Sequence, residues 1–112
     1  MAQADSKSKD SFVKAQFADV RSAPDAEDIV ATCDEIKELL LEKNWAYNGS
    51  ALRPARILST SDAKEQLKVR ADDKLSRIMQ GREDAIGEDA WLDLCGYLIL
   101  LLIAERRDSK GR

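Results

Sequence analysis

Residues 91–104 read Trp-Leu-Asp-Leu-Cys-Gly-Tyr-Leu-Ile-Leu-Leu-Leu-Ile-Ala. This stretch contains no proline and no alternation of polar and apolar residues, and it is too short to span a bilayer as a helix. It therefore predicts a water-soluble helix from about residue 87 or 88 to Arg106. Trp91, Cys95, Leu98 and Leu102 share one face, and Asp89, Asp93 and Gly96 lie roughly opposite. From Leu98 onward the helix is apolar all round, as helices buried on every side are. A chain of 112 residues has too little body to cover such a helix. The spare face is expected to meet another subunit, giving a homo-oligomer through Trp91–Ala104, with Gly96 allowing close backbone approach.

Upstream, Leu67, Ala71, Leu75 and Ile78 recur at helical spacing and predict a helix from about Ser61 to Gln80, stopped at Gly81. Lys74 falls on its apolar face, where it needs a carboxylate or a ligand phosphate. Arg70, Asp73 and Arg77 flank it. Before that, Pro24 opens a helix expected to end near Lys43, with Asp25, Glu27 and Asp28 in its first turn. Ile29, Cys33, Ile36 and Leu40 make its apolar seam, and Glu35, Glu38 and Glu42 form a separate stripe. No strand pattern and no internal repeat occur. The fold class is all-α: a compact bundle of three long helices with a short N-terminal arm.

Residues 1–22 are expected to be a flexible tail and arm, with Val13, Phe17 and Val20 at amphipathic spacing. Residues 23–107 form one domain and 108–112 a C-terminal tail. The polar start carries no signal-peptide core. Cys33 and Cys95 are read as buried small hydrophobes in a reducing, cytoplasmic compartment. Having no His excludes Ser-His-Asp and Cys-His catalysis. A net charge of −3 speaks against duplex DNA, and nothing calls for a membrane.

Two further sets of residues suggest chemistry. Glu35 and Glu38 share one helix face, and Asp89 and Asp93 share another. If the faces met, the four carboxylates would suit Mg²⁺. Asp93, next to an apolar run, would be served equally by a salt bridge to Lys74 or Arg77. The second set is the connection 44–59. It brings together Trp45 and Tyr47, the polar groups of Asn44, Asn48 and Ser50, and Arg53 and Arg56, beside Lys43. Aromatic rings stack bases and guanidinium forks hold phosphate, and Asn48-Gly49 would turn backbone N–H groups toward an anion. The length and apolar content of this connection predict that it packs on the body.

Three segments together resemble a known family: KNWAYNGSAL (43–52) followed by Arg56-Ile57, RADDKLSRI (70–78), and DLCGYL (93–98) preceded by Glu83-Asp84. Their order resembles the nucleotide modification associated domain, first type, common in bacteriophages. The helices are also similar to the all-α nucleoside triphosphate pyrophosphohydrolases of the MazG kind. Asp34-Glu35-x-x-Glu38 resembles the first metal motif of those enzymes, whereas Asp89-x-x-x-Asp93 is spaced four rather than three. The resemblance implies a nucleotide ligand held by Lys43, Asn44, Trp45, Tyr47, Ser50, Arg53, Arg56, Arg70, Asp73, Lys74 and Arg77. It also implies Mg²⁺ on Glu35, Glu38, Asp89 and Asp93. Two activities fit: Mg²⁺-dependent hydrolysis of a nucleoside triphosphate, or sequestration of a (cyclic) nucleotide immune signal that blocks host anti-phage defence. A structural protein without a ligand is the third reading.

Overall fold

The computed structural model describes residues 19–109. Their order is α1 (Ala26–Ala46), α2 (Ala63–Met79), a 3-10 turn (Ala85–Gly87) and α3 (Ala90–Ser109). The described residues contain no strand, so the class is all-α. The expected tail over residues 1–11 and most of the arm lie outside the described residues. So do 110–112, while Asp108 and Ser109 belong to α3.

The chain divides inside α1 into two compact units, Met1–Glu35 and Ile36–Arg112. The domain expected over 23–107 spans both. In the first unit, residues 19–21 are helical. A turn follows in which Asp25 takes a positive φ of 68° and its carbonyl accepts the N–H of Ile29, opening α1.

In the second unit the helix ends follow from local chemistry. Asp62 caps α2 by accepting the N–H of Glu65 at 2.9 Å. Asp89 does the same for α3 with the N–H of Leu92 at 3.1 Å. α1 and α2 both end in paired reverse bonds with a left-handed residue. Gly49 N–H donates to Asn44 O and Asn48 N–H to Trp45 O, with Asn48 at φ 54°. Arg82 N–H donates to Arg77 O and Gly81 N–H to Ile78 O, with Gly81 at φ 72°. Each pair satisfies carbonyls that the helix leaves open. The N–H groups around Asn48-Gly49 therefore close α1 and do not form the anion cradle the sequence suggested.

α2 and α3 run antiparallel. Lys64, at the start of α2, bonds Glu105 at 3.0 Å and Asp108 at 2.8 Å near the end of α3. Lys74, near the end of α2, bonds residues at the start of α3. The core between them is small: Leu67 and Ala71 from α2, and Ala90, Leu94 and Ala104 from α3, with Ile36 buried on α1.

Several expected faces are turned. On α3 the buried line is Ala90, Leu94 and Ala104, while Trp91, Cys95, Leu98 and Leu102 are exposed. Gly96 faces inward, against Leu40 of α1, and allows close approach within the chain, not between subunits. Cys33 and Cys95 are both exposed, contrary to the buried role expected of them. Leu75 and Ile29 also leave their expected seams for solvent. The connection after α1 packs only in part: Ala51 and Leu52 are half-buried, but Ile57 and Leu58 are exposed, as is Trp45, which belongs to α1 and not to the connection.

A Cβ on Gly96 would stand 3.1 Å from Leu40 Cδ2. Gly96→Ala should be near neutral, since the helix-propensity gain of about 1 kcal/mol offsets a contact that a flexible side chain can relieve. Gly96→Val should cost about 1–3 kcal/mol in urea unfolding, because its branches reach farther into the same space.

Candidate functional site

A cleft of about 410 Å³ lies within the second unit. This is within the roughly 300–1,000 Å³ typical of small-molecule sites. Leu39, Leu40, Gly96 and Leu100 give it an apolar wall, and Tyr47 and Tyr97 add two phenol rings. Asn44, Ser50 and Ala51 line the loop side. Three cations, Lys43, Arg70 and Lys74, stand against two carboxylates, Glu88 and Asp93. The cleft thus has a surplus of positive charge in a chain of net charge −3.

At its floor Lys74 Nζ lies 3.0 Å from Glu88 Oε1 and 3.3 Å from Asp93 Oδ2. The side chains of Lys74 and Asp93 are only 14% and 13% exposed. Burial works against the Lys74 ammonium. The hydrogen bonds it donates to Glu88 and Asp93 outweigh burial and hold its pKa above the ordinary 10.5. The bond from Lys74, aided by Arg77, holds Glu88 below its ordinary 4.5. The other oxygen of Asp93 faces Lys43 Nζ at 3.7 Å, which joins α1 to the same network. Arg70 has no hydrogen bond or ion pair to any described residue. It is an exposed guanidinium in the cleft lining with its donors available among the described residues.

Six of the expected nucleotide-binding residues line this cleft: Lys43, Asn44, Tyr47, Ser50, Arg70 and Lys74. Five do not: Trp45, Arg53, Arg56, Asp73 and Arg77. Trp45 is 85% exposed, which removes it as a stacking platform inside the cleft. Arg77 has a different task. Its guanidinium bonds Glu88 Oε1 at 3.0 Å and donates to the carbonyls of Ala85 at 3.0 Å and Glu83 at 3.2 Å. It holds the connection between α2 and α3, including Ile86, a β-branched residue at φ 59°.

Of the four expected magnesium ligands, Glu35 belongs to the first unit and Glu38, Asp89 and Asp93 to the second. Glu35 and Glu38 are exposed on α1, Asp89 caps α3, and Asp93 lies between two lysines. Among the described residues no group of three or more Asp, Glu, Cys or His side chains is placed to hold a metal ion. The salt bridge expected for Asp93 is made to Lys74 and not to Arg77. The sequence reading passed over Glu88, Tyr97 and the leucines. Tyr97 looked like one more apolar position in α3. Glu88 carried a signal in its distance from Lys74 and Arg77 across a short connection.

Comparisons with protein families, curated proteins and solved structures find no match for this chain.

Glu88 stays ionised to lower pH in the folded state than in the unfolded chain. Its contribution to stability is therefore present above pH 4.5 and lost as pH falls through its lowered folded value. Glu88→Gln should melt below the wild type at neutral pH. The gap should close as pH drops below 4.5, as read by thermal circular dichroism. Arg77→Leu should cost about 1–3 kcal/mol at neutral pH, since it strips a charged donor from several carbonyls at once.

Proposed function

We propose that this chain binds a nucleotide in the cleft and holds it without turnover. The observation that carries the reading is Arg70, a guanidinium with no hydrogen bond or ion pair among the described residues, which lines, with Lys43, a cleft with an apolar wall and two tyrosine rings. Guanidinium and ammonium groups recognise phosphate oxygens by charge-assisted hydrogen bonds. A tyrosine face and leucine side chains suit a planar base, and Asn44 and Ser50 offer hydrogen bonds to its edge or to a ribose. The resemblance of segments 43–52, 70–78 and 93–98 to the phage nucleotide-associated family points the same way. In that setting a protein that sequesters a nucleotide signal acts against host defence.

Magnesium-dependent hydrolysis receives less support from the residues present. Asp89 engages a helix N-terminus and Asp93 engages two lysines.

The test mixes purified chain, in molar excess, with Mg²⁺ and a set of nucleoside monophosphates, triphosphates and cyclic nucleotides. One aliquot is ultrafiltered and one denatured, and both are chromatographed. Binding without turnover predicts one species missing from the filtrate and intact in the denatured total. New monophosphate in the total would establish hydrolysis instead. A complete filtrate would leave the reading of a structural protein. For the species captured, Arg70→Ala should weaken binding about ten- to a hundredfold by titration calorimetry, the loss of one charge-assisted contact of about 1.5–3 kcal/mol. Trp45→Ala should leave it unchanged.

A further inference from the structure

Given the nucleotide reading, on which this inference rests, the charges of the cleft lining decide which class of nucleotide enters. Lys74 is committed to Glu88 at 3.0 Å and Asp93 at 3.3 Å. Lys43 stands 3.7 Å from the other oxygen of Asp93. Arg70 is the lining cation with no hydrogen bond or ion pair to any described residue. Three cations against two carboxylates leave one surplus positive charge. Arg70 is the group that meets an anion without first breaking a pair, and its fork grips two phosphate oxygens at once.

Nucleotides differ in the charge they bring. A phosphodiester carries one negative charge at neutral pH, a monophosphate ester carries about −1.5 to −2, and a triphosphate carries more. Arg70 matches the first charge. Any further charge finds no free cation among the described lining residues and faces two carboxylates. Both oxygens of Asp93 face lysines, and its side chain is 13% exposed. Glu88 is 48% exposed, and its Oε2 accepts no hydrogen bond from the described residues. It is the carboxylate that an incoming phosphate meets. Nor does it yield its place on Lys74 readily. Arg77 holds the same Glu88 oxygen at 3.0 Å and is itself anchored to the carbonyls of Glu83 and Ala85. The cleft volume of about 410 Å³ is at the small end for ligand sites and suits one nucleotide.

We propose that the cleft is a filter for phosphate charge. It takes a mononucleotide whose phosphate is a diester, as in a 3′,5′-cyclic monophosphate, and turns away free monophosphates and polyphosphates. Glu88 is the residue that sets the limit.

The test uses the full chain at neutral pH, in EDTA so that no divalent ion masks phosphate charge. The 3′,5′-cyclic monophosphate, 5′-monophosphate and 5′-triphosphate of adenosine, guanosine, cytidine and uridine are titrated by calorimetry. For the base that binds, affinity should fall about tenfold with each added charge, the size of a like-charge interaction across about 10 Å at an effective dielectric of about 20. In Glu88→Gln, Lys74 keeps Asp93 and Arg77 keeps its carbonyls. There the gap between cyclic monophosphate and monophosphate should largely close. Damage to shape alone weakens every member of the series alike and leaves the ratios in place. A monophosphate or triphosphate bound as tightly as the cyclic form by the wild type overturns the filter and leaves the nucleotide reading standing. Unchanged ratios in Glu88→Gln overturn the role of Glu88. No binding of any compound in the series overturns the filter and the nucleotide reading together.

Discussion

The ammonium of Lys74 lies between two carboxylates, Glu88 at 3.0 Å and Asp93 at 3.3 Å, and much else is arranged around it. It ties the end of α2 to the start of α3. Through Glu88 it shares a partner with Arg77, which holds the connection between those helices. Through Asp93 it reaches Lys43 and the C-terminal half of α1. The three helical segments that enclose the cleft thus meet in one charge network. Pairs this poorly hydrated gain little net stability over apolar residues of equal size. Their value is in register: slide α2 against α3 by one turn and a nearly dry lysine loses both of its partners.

That network was half legible in the sequence. Lys74 stands among Leu67, Ala71 and Ile78, and a cation in that company announces a partner. Helix ends were legible too, because Asp62, Gly81 and Asn48-Gly49 carry the chemistry of caps and reversals. The inward face of α3 was not. Where nearly every position is apolar, periodicity has amplitude but no phase. The only cues were the small residues Ala90, Gly96 and Ala104 and the acid Asp93. All four belong to the packed side, because helices that approach closely need small side chains at the contact. Reading the large residues as the core inverted the helix, and Cys95 went with them. Arg77 misled in another way. The resemblance implied a nucleotide contact for it, but five polar contacts within reach of the next connection absorb its guanidinium.

The two faces of α3 divide the labour. Gly96, Tyr97 and Leu100 look into the cleft, and Trp91, Leu98 and Leu102 look away from it. A substitution at Gly96 or Tyr97 alters the cleft's wall, and one at Trp91, Leu98 or Leu102 leaves that wall in place.

The composition of the buried set has a thermal consequence. Among the described residues three of its six members are alanines, and Leu67 is the one large side chain almost wholly sealed from water. Heat-capacity change on unfolding tracks the apolar surface newly wetted, at about 0.45 cal/mol/K per Å². With so few side chains wholly sealed among the described residues, their heat-capacity change on unfolding should be small for their number. Their free energy of folding therefore bends only gently with temperature, in a broad, low dome. Cold weakens such a chain slowly, and warming unfolds it over a wide interval.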